Sequence, residues 1–301
     1  MTSIHAHISG YPRIGEQREL KKATEAFWSG QIELHQLEET GQKLRLTNWR
    51  KQREAGIDLV PCNDFSFYDQ VLDMSCLLGN VPSRFSWKGG PVPLDILFQM
   101  ARGGKAQGNE CCGGDTFACE MTKWFDTNYH YIVPEFRSDT VFALSGTKVF
   151  DEFAEARAAG FRAKPVLIGP VTYLALGKAQ EPGFDPFTLL DNLTGVYEKI
   201  LGRLSAQGAE WVQFDEPVLA LDLSPDKRAA LHDVYRRLKK AAGPCRVLVA
   251  SCFGPLRENL PDFLNLPVDA LHFDAVRGAG ELDGFLAQFP KNRILSLGVV
   301  D

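Results

Sequence analysis

The sequence predicts an α/β fold, a (β/α)8 barrel of the TIM type formed by residues 1–301 as one domain. Three observations predict it. Eight short apolar runs recur along the chain, amphipathic helical patterns separate them, and 301 residues exceed the roughly 250 that such a barrel needs.

The runs are Ala6–Ile8, Ile57–Val60, Tyr129–Val133, Pro165–Ile168, Trp211–Phe214, Arg246–Ala250, Ala270–Phe273 and Ile294–Val300. Several, such as Val166-Leu167-Ile168 and Val247-Leu248-Val249-Ala250, are apolar without alternation, as parallel strands covered on both faces are. Leu20, Ala23 and Phe27 form the stripe of a first helix, opened by Arg18-Glu19 and stopped at Gly30. The stretch between the first two runs is too long for one helix, so an extra amino-terminal helical segment is expected between Gln31 and Arg53. Leu190, Leu193, Tyr197, Ile200 and Leu204 follow one another at spacings of 3, 4, 3 and 4, a single helical face. Leu231, Val234 and Leu238 repeat the pattern behind Ser224-Pro225-Asp226, a credible helix cap. The last run closes at the end of the chain, so the final helix of the barrel is expected to be absent and the sequence reads as a piece of something longer.

Composition excludes several classes of function. Lys and Arg number 33 against 38 Asp and Glu, a net charge of −5 without the basic excess of a general nucleic-acid binder. No apolar run approaches the roughly 18 residues of a membrane span, and the opening Met-Thr-Ser-Ile-His-Ala-His lacks a signal peptide's apolar region. The cytoplasm is the expected location. Seven cysteines, an odd number in a large chain, argue against a disulfide framework. Cys111-Cys112, inside the Gly-rich stretch Gly103 to Gly114, reads better as a loop with free thiols than as a zinc site.

In a barrel the working residues lie beyond the carboxyl ends of the strands. Those positions here are Gly10 to Arg13, Asn63-Asp64, Gly169-Pro170, Asp215-Glu216-Pro217, Cys252 and Asp274, with Met121 to Asn128 before the third strand. Asp215-Glu216 is the most enzyme-like pair, yet neighbours on a strand point oppositely, so at most one carboxylate faces the mouth. Glu216 is either a general acid–base or, the better reading, a structural carboxylate bonding loop amides. His130 and His272 read as packing residues; Cys252 with His272 makes a soft metal pair that lacks a third ligand. Arg13, Arg18, Lys21 and Lys22 fall within ten residues, and Arg18 and Lys21 share a helix face. A solvated face explains them, but so does a polycarboxylate ligand, which turns their mutual repulsion into attraction.

Three sets of residues carry a resemblance. Gly10-Tyr11-Pro12-Arg13-Ile14-Gly15 with Arg18-Glu19-Leu20-Lys21-Lys22, then Asn63-Asp64-Phe65-Ser66-Phe67-Tyr68-Asp69, then Glu120-Met121-Thr122-Lys123-Trp124-Phe125-Asp126-Thr127-Asn128-Tyr129-His130-Tyr131 are similar to the start of the cobalamin-independent methionine synthases. Lys164 to Thr172, Trp211 to Pro217 and Leu295 to Val300 continue it in order. The resemblance implies the amino-terminal half of a two-barrel methyltransferase that moves a methyl group from 5-methyltetrahydropteroyltri-L-glutamate to homocysteine, forming methionine. It implies a folate polyglutamate tail bound by Arg18, Glu19, Leu20, Lys21 and Lys123, and a carboxyl-terminal catalytic barrel as partner. Zinc and homocysteine belong to that barrel, so no catalytic residue and no metal ligand is expected in this chain. Cys252 departs from the Thr-Tyr-Phe-Gly-like strand end of the family. The alternatives are a stand-alone single-barrel enzyme using Glu216, Cys252 or His272, and a non-catalytic folate-binding scaffold.

Overall fold

Helix signals set the first layer. In the computed structural model, which describes residues 4–104 and 116–300, α1 (Glu19–Trp28) starts at Arg18, whose backbone is left-handed at φ 60°. α2 (Leu34–Glu54) follows, with Gln36 Oε1 accepting the Glu33 N–H at 2.9 Å at its start. β1 (Val60–Cys62) is fully buried, and α3 (Gln70–Leu77) is capped by Asp69, which accepts from Val71 N and Leu72 N. α4 (Leu94–Arg102) completes a small apolar cluster with Leu37, Leu72 and Phe85. Cys111 and Cys112 lie outside the described residues.

β2 (Met121–Lys123) and β3 (His130–Ile132) form an antiparallel hairpin, Met121 opposite Ile132 and Lys123 opposite His130. β4 (Glu135–Phe136) then pairs with β6 (Lys178–Ala179). Between these two come α5 (Lys148–Ala158), β5 (Ala163–Ile168) and α6 (Pro170–Leu176). The rest alternates strictly: α7 (Leu190–Ala206), β7 (Trp211–Asp215), α8 (Pro225–Ala242), β8 (Arg246–Ala250), α9 (Leu260–Leu264), β9 (Ala270–Asp274), α10 (Leu282–Gln288) and β10 (Ile294–Gly298). α8 opens with Pro225 at its first turn, and the Ser224 side chain makes no capping bond there. Among the described residues no helix is long and apolar enough to cross a membrane.

One all-parallel sheet runs in the order β1-β5-β7-β8-β9-β10. Alternation divides its side chains. Val212 and Phe214 face the helices, where Phe214 meets Tyr197 of α7 and Tyr235 of α8 at 6.0 and 5.8 Å between ring centres. Leu59, Trp211, Leu248 and Ala270 form a separate apolar cluster on the concave side. The sheet curls until both edges reach the amino-terminal segment: His7 bridges Leu59 beside β1, and His7 Nε2 lies 2.8 Å from Ser296 Oγ on β10.

The eight-stranded parallel ring expected from the sequence therefore takes a different form. Six strands are joined by parallel ladders, and Ala6–Ile8 contributes a single bridge at His7. Tyr129–Val133 is not in the parallel sheet, because β3 satisfies its backbone in the local hairpin and β1 pairs directly with β5.

A polar layer crosses the curl above the apolar cluster. Lys164, 1% exposed, donates to His7 Nδ1 at 2.9 Å, to Ile8 O at 3.3 Å and to Gln213 Oε1. An ammonium only donates, so His7 Nδ1 accepts and its Nε2–H is left to donate to Ser296 Oγ. Ser296 Oγ in turn donates to His272 Nδ1 at 2.7 Å. Both histidines are neutral in this chain of bonds, and burial with the nearby Lys164 charge pushes His7 down to about 3 and His272 to about 4.

Neutral histidines have a pH signature. As pH falls below 6.5 the unfolded chain binds protons that the folded chain refuses, so their contribution to stability is lost on acidification toward about 4. His272→Asn is expected to remove roughly 2–3 kcal/mol of that loss between pH 6.5 and 4.5. Urea unfolding of both proteins at the two pH values measures it, and their difference isolates His272 from the buried carboxylates, which act in the opposite sense.

Candidate functional site at the mouth of the curled sheet

A cavity of about 670 Å³ opens at the carboxyl ends of β1, β5, β7 and β8. At the exit of β1, Asn63 turns into the left-handed region at φ 65°. Its N–H donates to Glu152 Oε2, its Nδ2 to Val166 O, and its Oδ1 accepts from Lys148. That turn delivers Asp64 to the cavity, where Oδ2 accepts the Tyr11 N–H at 2.9 Å and ties the Gly10–Arg13 loop over the mouth. Desolvation raises the Asp64 pKa.

At the end of β7 the two adjacent carboxylates part company. Asp215 faces the cavity and accepts from Gln213 Nε2 at 2.6 Å; burial raises its pKa and lowers that of Lys164 beneath it. Glu216 points the other way, wholly buried, accepting from Thr172 N at 2.7 Å, Val171 N at 3.3 Å and Tyr235 Oη at 2.8 Å. It binds the amino terminus of α6, and burial pushes its pKa up to about 7. Glu216 is therefore the structural carboxylate of the two sequence readings, outside the cavity.

The β2–β3 hairpin closes the cavity from one side. Phe125 stacks on Phe253 at 5.6 Å, both residues having left-handed backbone at φ 48° and 72°. Trp124 packs edge-on against Phe253 and Tyr131, and Arg277 approaches Asp126 Oδ2 at 3.6 Å. Asp69 anchors the hairpin's base by accepting the Ile132 N–H at 3.1 Å. Lys123, exposed on β2, lines the cavity rim, as does its register partner His130.

The other sequence-selected residues lie elsewhere. Leu20 is buried with Leu44 and Phe65. Glu19 accepts the Gln17 N–H at 2.9 Å and lines a second cavity of about 460 Å³ with Lys43 and Lys51. Lys21 is exposed and pairs with Glu25 at 3.7 Å, and Arg18 is exposed at the start of α1. Lys123 thus lines the mouth cavity, and neither Arg18 nor Lys21 lines either of these two cavities. Sequence reasoning passed over Lys164, Phe253 and Arg277; a lysine directly before an apolar strand was the available signal for the first.

Zinc does not fit these residues. Among the described residues no three of His, Cys, Asp and Glu are placed to hold a metal ion. His272 is committed to Ser296, and burial with the Asp215 and Asp274 charges raises the Cys252 thiol.

Comparison with known proteins agrees with the resemblance. Residues 5–301 match the family described as "Cobalamin-independent synthase, N-terminal domain". The 5-methyltetrahydropteroyltriglutamate–homocysteine methyltransferase of Syntrophotalea carbinolica is 51% identical over 295 residues, covering 98% of this chain and 38% of the relative. That of Salinibacter ruber is 51% identical over 293 residues, again 38% of its length. The chain thus spans less than two fifths of these relatives. Two solved structures share the fold. A putative vitamin-B12-independent methionine synthase from Listeria monocytogenes has a TM-score of 0.61 at 15% identity, covering 98% of this chain and 81% of that one. A B12-independent methionine synthase from Shewanella has a TM-score of 0.61 at 16% identity, covering 90% and 73%.

Glu216 also dictates its neighbour. A Cβ on Gly169 would sit 2.1 Å from Glu216 Cδ, so Gly169→Ala is expected to cost about 1–3 kcal/mol. Gly202→Ala on α7, where a Cβ meets nothing within 4 Å, is expected to stabilise by about 1 kcal/mol. Urea midpoints of the two variants against the parent check the contrast.

Proposed function

Because the chain belongs to the cobalamin-independent methionine synthase family, in its amino-terminal domain, we propose that it is the amino-terminal half of a cytoplasmic two-barrel methyltransferase. That enzyme transfers the methyl group of 5-methyltetrahydropteroyltri-L-glutamate to homocysteine, and this half binds the folate tail while packing on the catalytic half. The carrying observation is the match over residues 5–301 together with Lys123 standing on the rim of the mouth cavity.

Electrostatics supports a tail held at the rim. The floor carries Asp64 and Asp215, which repel a polyglutamate, whereas Lys123 makes no ion pair among the described residues and has its donors available. Arg18 and Lys21, outside the lining of that cavity, stand at the start of α1 with Glu19 and Leu20, and in this reading they meet the tail beyond the rim. Lys123 acts by charge-assisted hydrogen bonds, which position the substrate without taking part in methyl transfer. Of the residues that a stand-alone enzyme would use, Glu216 caps α6 and His272 is bonded inside the sheet, whereas Cys252 lines the cavity. Zinc and homocysteine are assigned to the other half.

Lys123→Ala is expected to weaken the triglutamyl folate by about 1.5–3 kcal/mol and the monoglutamate by less. Calorimetric titration of both ligands measures this, and equal losses would sink the assignment. The 301-residue chain is also expected to form no methionine and to carry no stoichiometric zinc. Metal analysis and a methionine-formation assay, with and without a separately expressed carboxyl-terminal barrel, test that; turnover by this chain alone would overturn it.

A further inference from the structure

The floor of the mouth cavity has a charge imbalance that tail binding leaves unexplained. Asp64 and Asp215 both face the cavity, and among the described residues neither forms an ion pair. Lys148 acts on Asp64 from its own pairs with Asp73 and Glu152. Lys164 acts on both carboxylates, but its three N–H bonds go to His7, Ile8 and Gln213. It therefore acts on the carboxylates only through space. Among the described residues no ammonium is thus in contact with either carboxylate, and desolvation raises the pKa of both acids.

The walls above this floor are apolar and aromatic. Ile168 and Met74 stand on one side, with Trp124, Tyr131 and Phe253 on the hairpin side. At about 670 Å³ the space lies in the range of small-molecule sites, which pair apolar walls with a few convergent polar groups. A negative, water-poor floor under aromatic faces is complementary to a cation on an apolar body, which gains both charge-assisted hydrogen bonds and ring-face attraction.

We propose that the mouth cavity is a binding site for a primary amine, its ammonium seated between Asp64 and Asp215 and its apolar body against Trp124 and Phe253. The site is separate from the rim position of Lys123 and stands whether or not the polyglutamate reading holds. A free amine and an α-amino acid share the ammonium, and they differ in the carboxylate that the amino acid presents toward the rim.

Calorimetric titration of the full chain with 2-phenylethylamine tests the site. The amine is expected to bind at least tenfold more tightly than the isosteric 2-phenylethanol, with 3-phenylpropionate excluded. Asp215→Asn is expected to weaken the amine about tenfold while leaving 2-phenylethanol unchanged. Cys252→Leu, which fills the cavity without removing a carboxylate, is expected to weaken amine and alcohol together, and it keeps the test decisive if Asp215→Asn fails to fold. L-phenylalanine binding as tightly as the amine identifies an amino-acid site, and weaker binding identifies an amine site; both uphold the ammonium pocket. Equal affinity for amine and alcohol, or amine binding indifferent to both substitutions, overturns it.

Discussion

The buried Lys164 ammonium is the constraint around which the curl is organised. It stands on an inward position of β5, at 1% exposure, where an unpaired charge costs several kcal/mol. The structure meets that cost with three acceptors drawn from different parts of the chain: a histidine ring, a backbone carbonyl of the first segment, and an amide on β7. Because two of the three come from residues 7 and 8, the ammonium holds the amino-terminal segment inside the sheet. His7 then passes the direction of hydrogen bonding to Ser296 and His272, joining the last two strands to the first segment. Closure of the curl thus depends on a line of side chains where a continuous backbone ladder is not formed.

This explains which parts of the fold were legible in the sequence. β7, β8 and β9 begin at the residues where the apolar runs begin, because strands covered on both faces have no polar alternation to blur them. β10 does so too, although Ile294, Leu295 and Leu297 are exposed on it. β5 starts two residues earlier than its run, at Ala163, since Lys164 hides the strand beneath a charge. β1 overlaps the expected Ile57–Val60 only at Val60 and extends through Pro61 and Cys62. Tyr129–Val133 has the composition of a strand, but composition does not name a partner. Met121–Lys123 lies close in sequence and pairs with it first. Of the site, the strand-end positions Asp64, Asp215 and Cys252 were readable from barrel geometry, and the structure places all three in the cavity lining. Lys123 was readable only through the resemblance, and the distribution of Arg18 and Lys21 depends on how α1 sits, which no local pattern encodes.

The hairpin that misled the strand count is also what gives the mouth its wall. Phe125 and Phe253 each take a left-handed backbone, which costs a non-glycine residue roughly 1–3 kcal/mol. The two residues stack on each other across the opening, and Trp124 and Tyr131 extend the contact. Strain on both sides of one contact indicates that the contact is what holds both backbones in place. The Arg277–Asp126 approach adds a second, electrostatic tie between the hairpin and the loop after β9. Lys123 is one residue from this cluster, so its position on the rim follows from aromatic packing rather than from any partner of its own.

Asp215 and Glu216 show why spacing alone could not divide structure from function. On a strand, neighbours face opposite sides, so one carboxylate had to turn from the mouth; which one depends on register. Register follows from Gln213, which must face inward to meet Lys164. Period two then sends Asp215 inward and Glu216 toward the helices. There Glu216 finds the amino terminus of α6, whose unpaired N–H groups suit a carboxylate, and Gly169 leaves room for it. Among the described residues Asp215 receives one side-chain bond, from Gln213, and keeps its remaining acceptor capacity for the cavity. A single inward lysine therefore settles the roles of both acids: one is satisfied by the fold, and the other remains open to a ligand.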